Sequence, residues 1–383
     1  MDVSTTLQHQ NAIDFPSVTV CNKNKVSCRR LGQLLQDCRT VPQCKHPAEL
    51  ERLHQLGRCN VSQELQPTWD SAEQTSHYNL SLLPLTDGPA VVTKTEIISD
   101  ILESFQDVNQ SAVFRADQEF LLTFLKLSRE EKFLIGHQFS DMIQSCTFRG
   151  VDCRAMLGSA ELQMKFLDYK VDLSATHGNC FTLQTVSKAL GKSSLTGATY
   201  GLSLVLKLEQ SDYLRGGQTL AAGARVTVQE REAPALIDEY GLDIAPNTLT
   251  SLALQLVNIS RHAYSGCDPA PSHSITTCQK LCIQRSVRDN CGCYHPLYQT
   301  EGGDVLLPCD LVSGSKDEEC VLELIVKYDT GMLECSCLPA CTEKDYEKLV
   351  SSTVWPAATA ATAISNMYGV DITDRKQVLS SLY

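Results

Sequence analysis

The cysteines are the residues of this chain whose type and spacing suggest chemistry. The 383-residue sequence contains 18 of them, and a high, even count predicts disulfide bonds and an oxidising compartment. Zinc binding is the alternative, with thiolates from Cys291-Gly-Cys293 and Cys335-Ser-Cys337. The C-x2-C pairs typical of structural zinc sites are absent. We therefore favour disulfides and expect neither a metal nor a cofactor.

Ten of the cysteines form one block, Cys267 to Cys341, whose spacing suggests its own pairing. Cys278 and Cys282 lie in a stretch with helical character, so they share a helix face about 6 Å apart. Cys335 and Cys337 share one face of an extended strand, about 6.6 Å apart. Disulfides tolerate Cα separations of about 4.4–6.8 Å, so a helix and an antiparallel strand can be joined by two rungs.

The remaining cysteines of the block nest around these two rungs. The predicted bridges are Cys267–Cys341, Cys278–Cys337, Cys282–Cys335, Cys291–Cys320 and Cys293–Cys309. Ten cysteines allow on the order of a thousand connectivities, so spacing alone does not prove the ladder. A second cluster allows three pairings among its members, and the residues leave that choice open: Cys28, Cys38, Cys44 and Cys59.

Elements that position these cysteines follow from the hydrophobic periodicity. A 3.6-residue period predicts helices, whose apolar stripes indicate helix-on-helix packing, with partner-binding surfaces as the alternative. The predicted helices are Lys94–Val108, about Asp117–Leu127, about Arg129–Gln144, Thr277–Asp289, Glu318–Lys327 and Ala357–Ile364. After Cys146 the period is two, which predicts an antiparallel sheet with one buried face. The predicted strands are Asp14–Cys21, Leu202–Leu208, Ala224–Val228 and Leu252–Leu256.

Several function classes are disfavoured by the sequence. A net charge of −12 argues against nucleic-acid binding, for which a basic surface is expected. Motifs of metalloproteases, serine hydrolases and nucleotide-binding loops are absent. The pairs Asp238-Glu239 and Glu318-Glu319 are adjacent in sequence, so they do not face one another and are poor general acid–base candidates. We expect no enzymatic activity.

The sequence also predicts an extracellular location. N-x-S/T sequons occur at Asn60, Asn79, Asn109 and Asn258, and together with the cysteines they favour a glycosylated extracellular protein. Met1 is not followed by a signal peptide, and no run of eighteen apolar residues occurs. These features predict an ectodomain or a fragment.

Five segments, in order, carry a family resemblance over nearly the full length of the chain. They are Phe15–Asn22 (FPSVTVCN), Cys146–Cys153 (CTFRGVDC), Gly178–Thr182 (GNCFT), Gly201-Leu202 with Ala222–Val226, and the cysteine block followed by Tyr346, Ser352 and Trp355-Pro356. Together they resemble the extracellular domain of the degenerin, epithelial sodium channel and acid-sensing ion channel superfamily.

That resemblance implies an α+β fold shaped like a clenched hand, with an antiparallel palm sheet, a helical finger, a disulfide-laddered thumb, a knuckle and a β-ball. The implied divisions are 1–22, a post-membrane segment and first palm strand; 23–145, the finger; 146–265, β-ball and palm strands; 266–342, the thumb; and 343–383, the post-thumb segment and knuckle helix, ending before the last palm strand. The resemblance also implies the bridges Cys21–Cys180 and Cys146–Cys153.

The implied function is an extracellular stimulus-sensing domain of a trimeric, amiloride-sensitive sodium channel in the plasma membrane. Such a channel is a homo- or heterotrimer with two membrane helices per subunit, here expected outside the chain together with the sodium pore. The alternative is a secreted or truncated cysteine-rich binding ectodomain without channel activity.

The gating stimulus remains open between a peptide, a proton and mechanical force. Asp238 and Glu239 match an acidic position of acid-sensing channels, and Trp355 is a further gating candidate. Leu322 and Val326 stand where those channels have thumb carboxylates. Clustered carboxylates sense protons because they raise one another's pKa, so losing two of them weakens the prediction of proton sensing.

Overall fold

The fold is described by a computed structural model covering most of the chain. The described residues are 12–38, 42–59, 112–153, 167–186, 191–193, 195–215, 219–261, 266–269, 274–298, 306–312, 314–369 and 379–382. The predicted helix Lys94–Val108 and the sequons at Asn60, Asn79 and Asn109 lie outside these residues.

The described residues form a mixed α/β structure. The strands are β1 (Ile13–Asp14), β2 (Ser17–Asn22), β3 (Ile143–Phe148), β4 (Val151–Asp152), β5 (Leu167–Ser174), β6 (Gly178–Thr185), β7 (Lys192–Ser193), β8 (Leu202–Lys207), β9 (Ala224–Gln229), β10 (Leu242–Ile244), β11 (Thr248–Ser260), β12 (Thr342–Val354) and β13 (Leu379–Leu382). The α-helices are α1 (Cys28–Asp37), α2 (Pro47–Leu56), α3 (Ala112–Lys126), α4 (Arg129–Ile135), α5 (Phe139–Met142), α6 (Ile237–Tyr240), α7 (Ile275–Cys291), α8 (Lys316–Asp329) and α9 (Ala361–Tyr368).

Two large sheets organise the fold. The five-stranded sheet has the order β10-β9-β2-β6-β5, and the six-stranded sheet has the order β12-β11-β13-β8-β3-β4. The predicted strands are all present, but β9 lies in the first sheet while β8 and β11 lie in the second. The prediction of one antiparallel sheet is therefore wrong. β13, a strand that the sequence analysis did not predict, also pairs with β11 in parallel.

The main core contains apolar residues from both sheets. Val18 and Val20 of β2, Phe181 of β6, and Leu204 and Leu206 of β8 are all buried in it. In β2 these valines alternate with Thr19 and Cys21, as the two-residue period of a strand requires. β11 departs from the prediction of one buried face, because Leu254 is exposed.

A helical layer formed by α1 to α4 has its own core, in which Leu31, Leu50, Phe120 and Phe124 are buried. The helix predicted over Arg129–Gln144 is wrong beyond its first turns. α4 ends at Ile135, and α5 ends at Met142, where β3 begins. Gly136 adopts an extended conformation at the end of α4, and an added Cβ there would lie 2.5 Å from the Asn179 side chain.

The cysteine block folds as the antiparallel helix pair α7 and α8 with the segment that follows it. All five predicted bridges of the block are present. Cys278–Cys337 and Cys282–Cys335 have Cα separations of 5.8 and 6.0 Å. The strand predicted at Cys335 and Cys337 is wrong, because these residues run beside α7 without joining a sheet. The disulfides, rather than ladder hydrogen bonds, hold this segment to the helix.

Candidate functional site

A cleft of about 820 Å³ lies where the helical layer, the five-stranded sheet and the helix pair meet. β2, β5 and β6 contribute Thr19, Asp172 and Cys180 to its lining, and the segment before and within α6 contributes 234–239. Side chains from α3 and α4 line another side. The helix pair contributes Lys280 and the loop that follows α7. Four separate parts of the chain therefore build one site.

Paired side chains on the outer face of the five-stranded sheet form the floor of the cleft. Thr19 and Thr182 are cross-strand partners whose hydroxyl oxygens are 2.8 Å apart. Cys21 and Cys180 are also directly opposite, with a Cα separation of 4.4 Å. That spacing is typical of a non-hydrogen-bonded antiparallel pair, where side chains approach most closely. The disulfide implied by the family resemblance thus fits the register of β2 and β6.

The helical layer is anchored to this sheet by a buried hydrogen-bond network around Asn24. The Asn24 Nδ2 donates to Val26 O at 2.6 Å and to the His137 Nε2 at 2.9 Å. The Asn24 Oδ1 accepts from Leu214 N and from the Thr219 hydroxyl. Burial lowers the pKa of His137 to about 4, so its ring is neutral and able to accept. Buried polar groups that are paired in this way fix one arrangement of the chain.

The GNCFT motif, residues 178–182, provides the second anchor. Gly178 has φ +68°, and a Cβ there would lie 2.1 Å from the Lys25 carbonyl oxygen. The Asn179 Nδ2 donates to Phe133 O and His137 O, both at 2.9 Å. Gly178 lets the start of β6 approach the backbone of Lys25, and Asn179 holds the end of α4 through its two hydrogen bonds. Both residues therefore position the α4 side of the cleft.

The predicted gating candidates Asp238 and Glu239 both line the cleft, on α6. The Asp238 Oδ1 accepts from the Thr176 hydroxyl at 2.7 Å and lies 3.4 Å from the His177 Nδ1. Burial raises the pKa of Asp238, but hydrogen bonds from His177 and Thr176 outweigh this and lower the net pKa. Glu239 forms an ion pair with Lys280 of α7.

Lys280 is the point at which the helix pair contacts the rest of the cleft. Its ammonium group pairs with Glu239 and lies 5.6 Å from the centre of the Tyr298 ring. The rings of Tyr298 and His295 stack with centroids 4.0 Å apart. Burial, and then the charge of Lys280, lower the pKa of His295 to about 4. This cluster ties α6 to α7 without a covalent bond.

Two cations on α4, Arg129 and Lys132, also line the cleft, and the sequence analysis missed them. They flank Glu130 and Glu131 in a charged stretch whose pattern is typical of a solvated helix face. Their spacing of three places them on one side of a helix. The sequence signal was therefore present, but nothing in it indicated a cleft beside that face.

The other predicted residues lie elsewhere. Leu322 and Val326 are on α8, none of whose residues lines the cleft. Trp355 packs with Val205 and with Ile364 of α9. Asn258, the one sequon within the described residues, is exposed on β11.

The second cysteine cluster pairs as Cys28–Cys59 and Cys38–Cys44, which resolves the choice that the sequence left open. Cys146–Cys153, implied by the resemblance, is also present. All eighteen sulfurs are bonded to another sulfur.

The base of the helix pair is joined to the long β11–β12 ladder. The chain passes from β11 to the helix pair after Ser260, and it returns from the helix pair to the ladder at Thr342, the first residue of β12. Cys267–Cys341 closes this entrance, and Cys341 N donates to Asp268 O at 2.8 Å. The Arg261 guanidinium donates to Ala340 O and to Glu343, both at 2.7 Å. A movement of the helix pair would therefore act directly on both strands.

Fold and site together define a disulfide-braced α/β domain with a ligand-sized cleft at the contact between its parts. The profile of the amiloride-sensitive sodium channel family matches residues 1–382. The chain therefore belongs to the amiloride-sensitive sodium channel family. No helix within the described residues is both long and apolar enough to cross a membrane.

Related proteins include epithelial channel subunits and degenerins. The chain is 25% identical to the epithelial sodium channel subunit alpha of Anolis carolinensis over 379 residues, covering 90% of the chain and 57% of the relative. It is 28% identical to the corresponding subunit of Xenopus laevis over 245 residues, 59% of the chain and 37% of the relative. It is 25% identical to degenerin mec-10 of Caenorhabditis elegans over 259 residues, 64% of the chain and 34% of the relative. The chain thus spans about a third to just over half the length of these relatives.

Proposed function

We propose that the chain is the extracellular stimulus-sensing part of a subunit of an amiloride-sensitive sodium channel at the plasma membrane. In this proposal the helical layer is the finger, the helix pair is the thumb, the ladder belongs to the palm, and α9 is the knuckle helix. The observation that carries the proposal is the cleft at the junction of these parts, together with the family match.

The mechanism that we propose is a lever. Five disulfides stiffen the helix pair, so a push at its cleft end is transmitted to its base instead of being absorbed. The base is fastened to β11 and β12 by Cys267–Cys341 and Arg261. A ligand in the cleft, or a mechanical load, would shift a two-state equilibrium if its free energy differs between the two positions of the helix pair.

A trimer of identical or related subunits is part of the proposal. Exposed apolar side chains on the ladder support it, since Leu349 is 75% and Val354 is 84% exposed. The relatives named above are subunits or degenerins, which fits an assembly of several chains.

Electrophysiology of the complete protein tests the proposal. The chain in its full coding context would be expressed in oocytes, alone and with related subunits, and challenged with peptides, acid and membrane stretch. We expect a sodium current that amiloride blocks. Absence of such a current under every stimulus would contradict channel function, and a signal peptide with a stop codon in the coding sequence would instead support a secreted binding protein.

A further inference from the structure

The charges that line the cleft are not balanced. Four cations, Arg129, Lys132, Lys170 and Lys280, face three carboxylates, Asp172, Asp238 and Glu239. Each carboxylate already has a partner within the protein. The Lys170 ammonium lies 3.7 Å from Asp172, His177 lies 3.4 Å from Asp238, and Lys280 pairs with Glu239.

Arg129 and Lys132 are left without an acidic partner in the part of the chain that the structure describes, since no carboxylate there lies within 4 Å of either. Their neighbour Glu131 turns away and accepts hydrogen bonds from Lys45 N and His46. Two cations on one helix face thus point their charge into a cleft whose acids are already paired. An anion is the ligand that this arrangement lacks.

The position of Lys132 is fixed rather than free. Its ammonium group donates to Leu125 O at 2.9 Å and lies 5.7 Å from the centre of the Phe124 ring. The group still has two N–H bonds to offer. Burial lowers the pKa of Lys132 and outweighs the nearby charge of Glu131, which raises it. A fixed, partly desolvated cation binds an anion more strongly than a solvated one.

Apolar side chains line the cleft beside these charged groups. Its apolar side chains come from α3, from the segment before α6 and from the loop after α7, and they include Phe124, Leu173, Leu236, Leu297 and Tyr298. Leu297 is 42% exposed, so it presents apolar surface that a ligand could cover. Drug-sized sites commonly combine such a lining with a few placed charges.

We propose that the cleft binds an organic anion with an apolar body, its acidic group at Arg129 and Lys132 and its body against Phe124, Leu297 and Tyr298. The ligand class is therefore a hydrophobic carboxylate, sulfonate or phosphate, including an acidic peptide end. This inference rests on the cleft being the stimulus site of the proposed function.

A cationic ligand fits the cleft less well. Its charge would need a free carboxylate, and each of the three is engaged. To reach Glu239, a cation would have to displace Lys280. That displacement would also break the ion pair that joins α6 to α7. An anion needs no such displacement, because no carboxylate among the described residues pairs with Arg129 or Lys132.

A matched pair of fluorescent probes tests the inference on the purified glycosylated chain. Anilinonaphthalene sulfonate carries an anionic group, and N-phenylnaphthylamine has the same aromatic body without it. We expect the sulfonate to bind at least tenfold more tightly than the neutral probe, by roughly the strength of a charge-assisted contact. The double variant Arg129→Gln/Lys132→Gln should lose about that tenfold preference while binding the neutral probe as before.

The control removes two positive charges outside the cleft, Lys316→Gln/Lys327→Gln on α8, and should leave both affinities unchanged. Neutral-probe binding reports that the variants are folded. Equal binding of the two probes to the native chain, no binding of either, or the same loss in the control would each overturn the proposal.

The outcome is separable from that of the proposed function. Probe binding is measured on the isolated chain and needs no pore, whereas the channel hypothesis depends on currents from the complete protein. Currents without sulfonate preference would contradict the anion inference alone. Sulfonate preference without currents would contradict channel function alone.

Discussion

The helical layer and the helix pair flank the same cleft but are stabilised by different interactions. The layer buries Phe120 and Phe124 together with eight other apolar residues, and it is anchored through buried polar groups such as Asn24 and His137. The helix pair has a smaller core of six buried residues, two of them cystine halves, and five disulfides. The layer has two disulfides, Cys28–Cys59 and Cys38–Cys44, so it depends more on hydrogen bonds and packing than the helix pair, which has five. The first can respond to pH and local packing, while the second moves as a unit.

Breaking a rung of the ladder should have the largest effect. Cys278–Cys337 spans a sequence separation of 59, but the neighbouring bridge Cys282–Cys335 already closes most of that loop. Loss of this one cross-link therefore costs about 3 kcal/mol in the loop-entropy estimate. We expect Cys278→Ala, Cys337→Ala and the double variant to lose similar amounts of unfolding free energy in denaturant titrations. Strongly additive losses would mean that the two residues are not partners.

The ladder also shows how much of the fold the sequence specified. Spacings of four on a helix and two on an extended segment suggested its two central rungs, because disulfide geometry is narrow, although they did not prove the pairing. The pairing of Cys28 with Cys59 could not be predicted, because it depends on how α1 and α2 pack, and no local period reports that. The family motifs implied the Cys21–Cys180 bridge, which the structure contains. They also suggested Asp238 and Glu239 as gating candidates, a role that stays a prediction.

The cations of the cleft show the limit of sequence reasoning. Arg129 and Lys132 lie in a stretch that has the pattern of any solvated helix. Their role depends on which surfaces α4 and α7 present to each other, and this is set by long-range contacts such as Asn179 to Phe133. Two sheets were likewise predicted as one, because alternation reports a buried face but not which strands pair.

Two glycine-to-alanine substitutions compare how tightly the backbone is packed in two parts of the molecule. Gly178 and Gly292 both have a positive φ, +68° and +72°. A Cβ added at Gly178 would lie 2.1 Å from the Lys25 carbonyl oxygen, whereas a Cβ added at Gly292 would have no neighbouring atom within 4 Å. Gly178→Ala should cost about 3 kcal/mol, from left-handed strain and a backbone clash. Gly292→Ala, at the end of α7, should cost about 1 kcal/mol, from the strain alone.

Thermal unfolding of both variants measures this difference. Gly178 begins β6, where the sheet contacts Lys25, and Gly292 follows α7, so the pair compares the sheet beside the helical layer with the cross-linked helices. Similar losses in both variants would show that the contact of residue 178 with Lys25 is not tight.

Acid should affect the helical layer through Glu131. Its carboxylate accepts hydrogen bonds from Lys45 N at 2.6 Å, His46 N at 2.7 Å and Ser128 N at 2.9 Å. Burial raises the pKa of Glu131, but the hydrogen bonds from His46 and Ser128 outweigh it and lower the pKa from 4.5 to about 2. A lowered pKa means that this stability is fully present above pH 4.5 and is lost as the pH falls towards 2.

Hydrogen exchange across this pH range measures the effect. We expect amides of α2 and α4 to lose protection between pH 4.5 and 2, while those of α7 and α8 change less. Glu131→Gln should cost about 2 kcal/mol at pH 7, since it leaves buried donors poorly satisfied, and it should weaken the acid dependence. The exposed neighbour provides the control, because Glu130→Gln should leave both nearly unchanged. Uniform loss of protection in the layer and the helix pair would contradict the contrast.

The contact between α6 and the helix pair, at the same cleft, should have the smallest effect on stability and a larger one on function. Glu239 and Lys280 are each about a fifth to a quarter exposed, and ion pairs of this kind contribute at most about 1 kcal/mol to folding. We expect Glu239→Gln to leave the unfolding midpoint almost unchanged while loosening α6 from α7. In the complete protein it should shift the concentration or force that gives half-maximal current, because in the proposed lever mechanism the pair stabilises one of the two positions of the helix pair. Lys280→Gln should produce the same shift, and the double variant should add nothing to it. Unchanged gating in all three variants would show that the Glu239–Lys280 pair holds the cleft together without taking part in its movement.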